Sequence, residues 1–266
     1  MLERTFIHIQ GIGEKTEQKL WQGGIYTWEQ FLNCKRPIFN HSRDAFVRSE
    51  LEKSFTHQND IRFFRDRVSS AHMWRFYQAF KSKAVYLDIE TSGGYLGVDE
   101  ITVIGIYDGY GVRAFVNGVN LHDFESAIAG YDLIITFNGG SFDLPFIRRS
   151  FPNISLPPAH IDLRFFLKRL GYRGGLKSIE RQFGLVRDRD IDGMDGYDAV
   201  KLWKAHQWGD PLALDLLIKY NTADIVNLEP LMQAGFQKMK SRLLPQAERS
   251  QLEAADQPEM SMSGKG

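Results

Sequence analysis

The stretch Ala84-Val85-Tyr86-Leu87-Asp88-Ile89-Glu90-Thr91 decides the fold. It has the composition of an apolar central strand, interrupted by two acids at Asp88 and Glu90. Because side chains alternate along a strand, both acids point to the same side of the sheet. Two anions side by side repel each other unless a positive group joins them. The stretch therefore predicts a buried first strand and a site that holds a cation.

Two further acids occur in similar contexts later in the chain. Asp143 follows a glycine-containing turn after the apolar run 133–137, and Asp224 closes Tyr220-Asn221-Thr222-Ala223-Asp224 inside an amphipathic stretch. Tyr220 lies one helical turn before Asp224, so the two side chains share a helix face. A pair of hard divalent cations bound by oxygen accounts for all four acids.

The composition is that of an ordinary globular protein. The 266 residues, 43% of them hydrophobic and 25% charged, predict one large domain plus an appendage. Membrane-length apolar windows and a secretory signal pattern are absent from the sequence, so we expect a cytoplasmic protein with no membrane partner. Cys34 is the only cysteine, which excludes an internal disulfide and a thiolate zinc cluster. Oxygen ligands favour Mg²⁺ or Mn²⁺.

Charge is distributed unevenly although the net charge is zero. Residues 1–83 carry 14 Lys+Arg against 9 Asp+Glu, hence +5, and residues 84–266 carry 19 against 24, hence −5. The basic part is able to attract a polyanion, while the acidic part holds metal. A solvated set of helices with the same surplus is the alternative explanation.

Residues 1–33 have a glycine pattern of their own, with Gly11, Ile12 and Gly13 ahead of a polar helical run. Two short helices joined by a glycine hairpin fit this segment. It resembles the helix-hairpin-helix module, in which a helix end precedes Gly-apolar-Gly and a second helix. The resemblance implies that these three residues bind phosphate through backbone N–H groups, with Lys15 adding charge. The alternative is a helical hairpin that only packs on its neighbour.

From residue 84 onward the hydrophobic pattern alternates between strands and helices. It predicts strands at 84–91, 100–108, 112–117, 131–137 and 159–163, with helices at about 121–130 and 143–150 and more helices after them. This order predicts an α/β fold with a mixed sheet flanked by helices and an N-terminal, mainly helical appendage. We place the appendage at 1–83, the sheet domain at 84–240 and a polar, disordered tail at 241–266.

The acidic motifs occur in a recognisable order: Asp-x-Glu on the first strand, Phe-Asn-x-x-x-Phe-Asp after a later strand, and Tyr-x-x-x-Asp on a late helix. This order resembles the DEDD exonuclease superfamily with its ribonuclease-H-like fold, and the tyrosine spacing resembles the DEDDy subgroup. The stretches 137–146, 160–163 and 220–228 look more narrowly like the YprB-type predicted exonucleases. The resemblance covers roughly residues 84–233.

The resemblance implies a metal-dependent 3′-to-5′ exonuclease that acts on DNA or RNA with two Mg²⁺ or Mn²⁺ ions. Asp88 is expected to bridge both ions, with Glu90 and Asp224 completing the first and Asp143 holding the second. Tyr220 is expected to orient the attacking water. Phosphodiester hydrolysis needs an activated water, a neutralised phosphate and a stabilised leaving oxygen, and two cations about 4 Å apart supply all three.

Several assignments stay open from the residues alone. Asn138, before two glycines, contacts a terminal nucleotide or caps the turn at Ser141. Asp162 precedes a helix and is expected to cap it, and Lys177 either holds a backbone phosphate or is solvated. Two other functions also fit the sequence: a nucleic-acid-binding scaffold without activity, and an endonuclease that uses the same site.

Overall fold

The computed structural model of the protein describes residues 1–245, and the chain forms two compact units. One unit is Met1–Thr56 together with the described residues from Gln237 onward, and the other is His57–Phe236. The last helix continues to Leu243, and most of the tail predicted for 241–266 lies outside the described residues. Among the described helices, none has the length and apolarity needed to cross a lipid bilayer.

Five strands and eleven α-helices make up the regular structure of the described residues. The strands are β1 Ala84–Thr91, β2 Ile101–Tyr107, β3 Val112–Val116, β4 Leu133–Thr136 and β5 Ala159–Asp162. The helices are α1 Glu14–Gln22, α2 Trp28–Asn33, α3 His41–Thr56, α4 Ile61–Arg65, α5 Tyr77–Phe80, α6 Phe124–Ile128, α7 Asp143–Ser150, α8 Leu163–Arg169, α9 Leu176–Gln182, α10 Gly196–Gln207 and α11 Ala213–Leu243. Short 3-10 helices lie at Leu2–Arg4, Ser70–Phe76, Lys81–Lys83 and Leu121–Asp123.

The strands form one mixed sheet in the order β3-β2-β1-β4-β5. The pairs β1–β2 and β2–β3 are antiparallel, whereas β1–β4 and β4–β5 are parallel. The predicted α/β class, with a mixed sheet, flanking helices and helices at the N-terminus, is confirmed, and β1 is central as predicted. The helix predicted at 121–130 is shorter, because its start is the 3-10 turn Leu121–Asp123 and α6 ends at Ile128.

Apolar side chains cover both faces of the sheet, which explains why β1 and β2 are almost continuously hydrophobic. On one face, Ile89 and Ile104 belong to a cluster that includes residues of α6 and α7. On the other face, Val103 belongs to a cluster with Trp203 of α10 and Leu217 of α11. The second face is the one toward which Asp88 and Glu90 point, so α11 lies over the two acids.

A β-bulge interrupts the pairing of β1 with β2 at the end of β1. The register shifts between Glu90, which pairs with Val103, and Thr91, which pairs with Ile101. A bulge adds local twist and changes the direction of the side chains next to it. The irregularity lies directly at the second acid of the Asp-x-Glu motif.

The N-terminal unit is built around Trp28, whose indole N–H donates to the carbonyl of Thr5 at 2.7 Å. Glu17 is buried and accepts a hydrogen bond from the backbone N–H of Phe6 at 2.7 Å. The two short helices predicted for residues 1–33 are present as α1 and α2. Residues 7–11 form turns, so a helix does not lead directly into Gly11, and the helix-hairpin-helix resemblance is not confirmed.

Candidate metal centre

Three carboxylates meet where α11 crosses β1. Oxygens of Asp88, Glu90 and Asp224 all lie within 4.8 Å of one another. The first two point the same way because they are two residues apart on a strand, and the third comes from α11 above them. Three carboxylate oxygens at this spacing form the kind of donor set that hard divalent cations prefer.

Asp143, the first residue of α7, lies beside this group rather than in it. Its Oδ1 accepts a hydrogen bond from the backbone N–H of Ile89 at 3.2 Å, which ties the start of α7 to β1. Asp143 lines the same cavity of about 740 Å³ as the other three acids and Tyr220. The structure thus brings together all five residues that the sequence nominated for the acidic site.

Burial makes the charged form of these acids costly. Burial and then the charge of Asp143 raise the pKa of Asp88, and burial and then the charge of Asp224 raise the pKa of Glu90. Burial likewise raises the pKa of Asp143 to about 7. In the absence of a cation the cluster therefore favours protons. A divalent ion stabilises the ionised acids instead, so the residues fit a metal centre in both geometry and charge.

Asp224 has a charged partner that the sequence did not reveal. The Nη2 of Arg187 donates to Asp224 Oδ1 and, at 2.6 Å, to Glu180 Oε1, while its Nε donates to Glu180 Oε2 at 2.7 Å. Burial raises the pKa of Asp224, and the charge of Arg187 lowers it in part. Burial lowers the pKa of Arg187, but its hydrogen bonds to Glu180 and the charge of Asp224 outweigh burial and raise it.

Tyr220 presents a neutral phenol to the site. It is 3% exposed, and burial followed by the charge of Asp224 raises its pKa above the ordinary value of 10.0. The Nζ of Lys177 donates to the phenol oxygen at 2.5 Å. Because Lys177 occupies one lone pair of that oxygen, the phenol proton and the other lone pair remain for a molecule in the cavity.

Asn221 of α11 holds Asp88 of β1. Its Nδ2 donates to Asp88 Oδ2 at 2.9 Å. Gly105 of β2, which pairs with Asp88 in the sheet, makes this approach possible. A Cβ at Gly105 would lie 1.9 Å from Asn221 Oδ1. The glycine is therefore required by the close passage of α11 over the sheet.

The turn after β4 is held by polar contacts around Asn138, which has a positive φ of 68°. Its backbone N–H donates to Asp162 at 2.9 Å, and its Oδ1 accepts from Arg164 at 2.7 Å and from the Ser141 hydroxyl at 3.0 Å. Asn138 lines the acidic cavity and also caps the turn. Asp162 accepts from the backbone N–H of Arg164 at 3.1 Å, so the predicted capping of α8 is confirmed.

The N-terminal residues nominated for nucleic-acid binding lie in the other unit. Gly13 is the N-cap of α1, Ile12 is buried, and Lys15 is exposed on the first turn. Gly11 has a positive φ of 78°, which favours glycine, and the side chain of Arg43 donates to the neighbouring carbonyl of Gln10 at 2.5 Å.

Sequence reasoning missed Glu180, Arg187, Asn221 and Gly105. An isolated glycine inside an apolar strand is a signal for close backbone approach, and Gly105 carries it. Asn221 follows Tyr220 directly, but its contact with Asp88 spans 133 residues of chain. Nothing near Glu180 or Arg187 in the sequence indicates that they pair with each other or that Arg187 contacts Asp224.

Comparison with known proteins identifies the family of the sheet domain. The family model of the RNase_H superfamily matches residues 85–235, which is more than half of the chain. The match includes all four acids and Tyr220. A search of curated proteins gave no significant match.

Solved structures resemble the chain at low sequence identity. A family B DNA polymerase from the archaeon Pyrobaculum calidifontis aligns over 57% of this chain and 24% of its own, with 16% identity and a TM-score of 0.47. The chain thus spans about a quarter of the length of that polymerase. Brucella melitensis NrnC aligns over 71% of this chain and 94% of its own, with 19% identity and a TM-score of 0.44. Escherichia coli RNase D aligns over 71% and 49%, with 17% identity and a TM-score of 0.45.

Proposed function

This chain belongs to the RNase_H superfamily, and from that premise we propose that it is a metal-dependent 3′-to-5′ exonuclease that hydrolyses phosphodiester bonds of DNA or RNA. The observation that carries the proposal is the meeting of Asp88, Glu90 and Asp224 within 4.8 Å, beside Asp143 and Tyr220 in one cavity. Buried carboxylates in this number are costly to a fold unless they serve a cation.

The acids have distinct tasks in this proposal. Asp88, Glu90 and Asp224 hold one Mg²⁺ or Mn²⁺ ion, and Asp143 contributes to holding a second. Such ions supply a nucleophilic water at neutral pH and charge that stabilises the attacking and leaving oxygens. Asn221 fixes one oxygen of Asp88, and the backbone N–H of Ile89 fixes one oxygen of Asp143.

Tyr220 positions the attacking water in this proposal. Its phenol is neutral and receives a hydrogen bond from Lys177, so its own proton is directed away from the lysine. A hydrogen bond from the phenol to the oxygen of a water holds that water without removing its proton. The phenol thus contributes orientation, and Lys177 holds the phenol oxygen in place.

In this proposal a single strand end enters the cavity. It has a volume of about 740 Å³ and is lined by aromatic side chains as well as by the acids, including Tyr95, Phe137, Phe142 and Tyr197. Bases stack on aromatic side chains without sequence preference. Asn138 contacts the terminal nucleotide in this proposal, with its amide held in place by Arg164 and Ser141.

The N-terminal unit adds sequence-independent affinity in this proposal. Gly11, Ile12 and Gly13 precede α1, and Lys15 lies on its exposed first turn. Lys15→Glu should weaken binding of a long single strand and flatten its salt dependence, because fewer phosphate counterions are released. The rate on a dinucleotide should not change. A parallel loss on the dinucleotide would mean that the substitution disturbs the fold.

A gel time course tests the activity and its direction. The purified full chain is incubated with Mn²⁺ or Mg²⁺ and 5′-labelled single-stranded DNA or RNA, with and without a 3′ block. We expect a ladder that shortens from the free 3′ end and disappears in Asp88→Asn. Asp215→Asn, an exposed acid on α11, is the matched control and should keep full activity.

The other outcomes distinguish the competing functions. Internal cuts that ignore the 3′ block would identify an endonuclease on the same site. Tight binding without cutting, in both metals and on both sugars, would identify a scaffold that has kept the fold. Hydrolysis that survives in Asp88→Asn would refute the assignment of the site.

A further inference from the structure

Two oppositely charged residues lie behind the metal centre without lining its cavity. The side chain of Arg187 is 3% exposed and that of Glu180 is 2% exposed. Neither belongs to the lining of the cavity that contains the four acids. We call Glu180, Arg187 and Asp224 the charge triad. The burial of three charged groups that contact one another indicates a specific role, because buried charges without a role destabilise a fold.

The geometry of the charge triad divides one guanidinium between two carboxylates. Glu180 accepts hydrogen bonds from both Nε and Nη2 of Arg187, at 2.7 and 2.6 Å. Asp224 accepts only from Nη2, through Oδ1. Asn227 donates to Glu180 Oε1 at 3.0 Å and fixes its orientation. Asp224 Oδ2 accepts no hydrogen bond from the described residues. Glu180 thus holds the larger share of Arg187, and one oxygen of Asp224 remains for a cation.

We propose that Glu180 and Arg187 set the cation affinity of the metal centre, with Glu180 sharing the charge of Arg187 so that Asp224 keeps enough negative charge to bind a divalent ion. This inference rests on the proposed metal-dependent function. If Arg187 faced Asp224 alone, it would neutralise that ligand and repel the incoming cation. Glu180 and Arg187 are positioning residues, because Arg187 touches Asp224, Glu180 touches Arg187, and neither lines the cavity.

A purely structural role makes a different prediction. A structural ion pair holds α9 and the segment after it against α11, so loss of either partner should lower stability and metal binding together. Charge sharing predicts opposite effects of the two partners on cation affinity. Loss of Glu180 should weaken cation binding, and loss of Arg187 in that background should restore it. The two roles are therefore separated by a double-mutant cycle.

The experiment measures binding of Mn²⁺ alone to the metal-free full chain by calorimetry and by electron paramagnetic resonance of free Mn²⁺. Glu180→Gln, which keeps the shape of the side chain but removes its charge and one acceptor oxygen, should weaken Mn²⁺ binding about tenfold. Glu180→Gln/Arg187→Met should bind Mn²⁺ at least as tightly as the wild type. Arg181→Met removes an exposed cation next to Glu180 on α9 and should change binding less than twofold. Circular dichroism in chelator records folding of each variant.

The outcomes separate this inference from the proposed function. Unchanged Mn²⁺ binding in Glu180→Gln, or a double variant that binds as weakly as Glu180→Gln or more weakly, overturns charge sharing while the metal site stands. If Glu180→Gln does not fold, the double variant decides the question alone by its comparison with the wild type. A wild-type chain that binds no Mn²⁺ at millimolar concentration overturns both the proposed function and this inference.

Discussion

Asp143 gives the metal-free protein a stability that depends on pH. Its carboxyl is buried, and burial raises its pKa from the ordinary 3.8 to about 7. Between these two values the folded protein keeps a proton that the unfolded chain releases. Stability from this group is therefore fully present below the unfolded pKa and is lost as pH rises through about 7. Asp143→Asn removes the titration and keeps an oxygen that accepts from Ile89.

The magnitude follows from the size of the pKa shift. A pKa change of one corresponds to about 1.4 kcal/mol, so the free energy of unfolding should be about 3 kcal/mol greater at pH 5 than at pH 8 through Asp143 alone. Asp88 and Glu90, whose pKa values are also raised, act in the same direction and add to the slope. The variant should lose the share of Asp143, together with the part of the Asp88 share that the charge of Asp143 causes, and keep the rest.

Urea denaturation in the presence of chelator measures this effect at pH 5, 6, 7 and 8. The wild-type free energy of unfolding should fall as pH rises, and the fall should be about 3 kcal/mol smaller in Asp143→Asn. Asp215→Asn, at an exposed position on α11, should retain the wild-type slope. A variant slope equal to that of the wild type would refute the argument that burial controls this acid.

Three further predictions follow from the contacts of the site. Saturating Mn²⁺ should raise the melting temperature of the wild type by several degrees but leave that of Asp88→Asn unchanged, because only an intact set of acids is stabilised by binding the ion. Calorimetry measures both melting temperatures. Gly105→Ala places a Cβ 1.9 Å from Asn221 Oδ1 and should slow hydrolysis at least tenfold. Gly111→Ala, which has open space around it, should leave the rate unchanged, and equal rates in the two variants would contradict the role of close approach. Tyr220→Phe should lower kcat more than it changes KM in steady-state assays, whereas equal changes in both would point to packing.

The sheet was predictable because its strongest signal is local. An apolar strand with acids at alternate positions fits the sheet in one orientation, with both acids on the same face. The strands around it have the composition of buried strands. The bounds of β4 differ by two residues at the N-terminal end, since Tyr131 and Asp132 precede the pairing with β1 and β5. The bulge at Glu90 was not predictable, because it depends on the register that β2 adopts.

The acids of the site were predictable because each occupies a recognisable place on its element. Asp88 and Glu90 are on a strand face, Asp143 starts a helix, and Asp224 shares a helix face with Tyr220. The groups that hold these side chains were not predictable from the chain. Arg187 lies 37 residues from Asp224 in sequence, and no periodicity links them. Sequence patterns therefore located the acids but not the side chains that contact them.

The geometry of α11 explains why a glycine belongs to the site although it bears no functional group. Tyr220 and Asp224 are one turn apart and share one face, whereas Asn221 is rotated by about 100° and points toward β2. Its amide reaches Asp88 only if the helix passes close to the strand, and a side chain at Gly105 would prevent that approach. One helix thus brings a carboxylate, a phenol and an amide that holds Asp88 into the site, because the neighbouring strand leaves space for it.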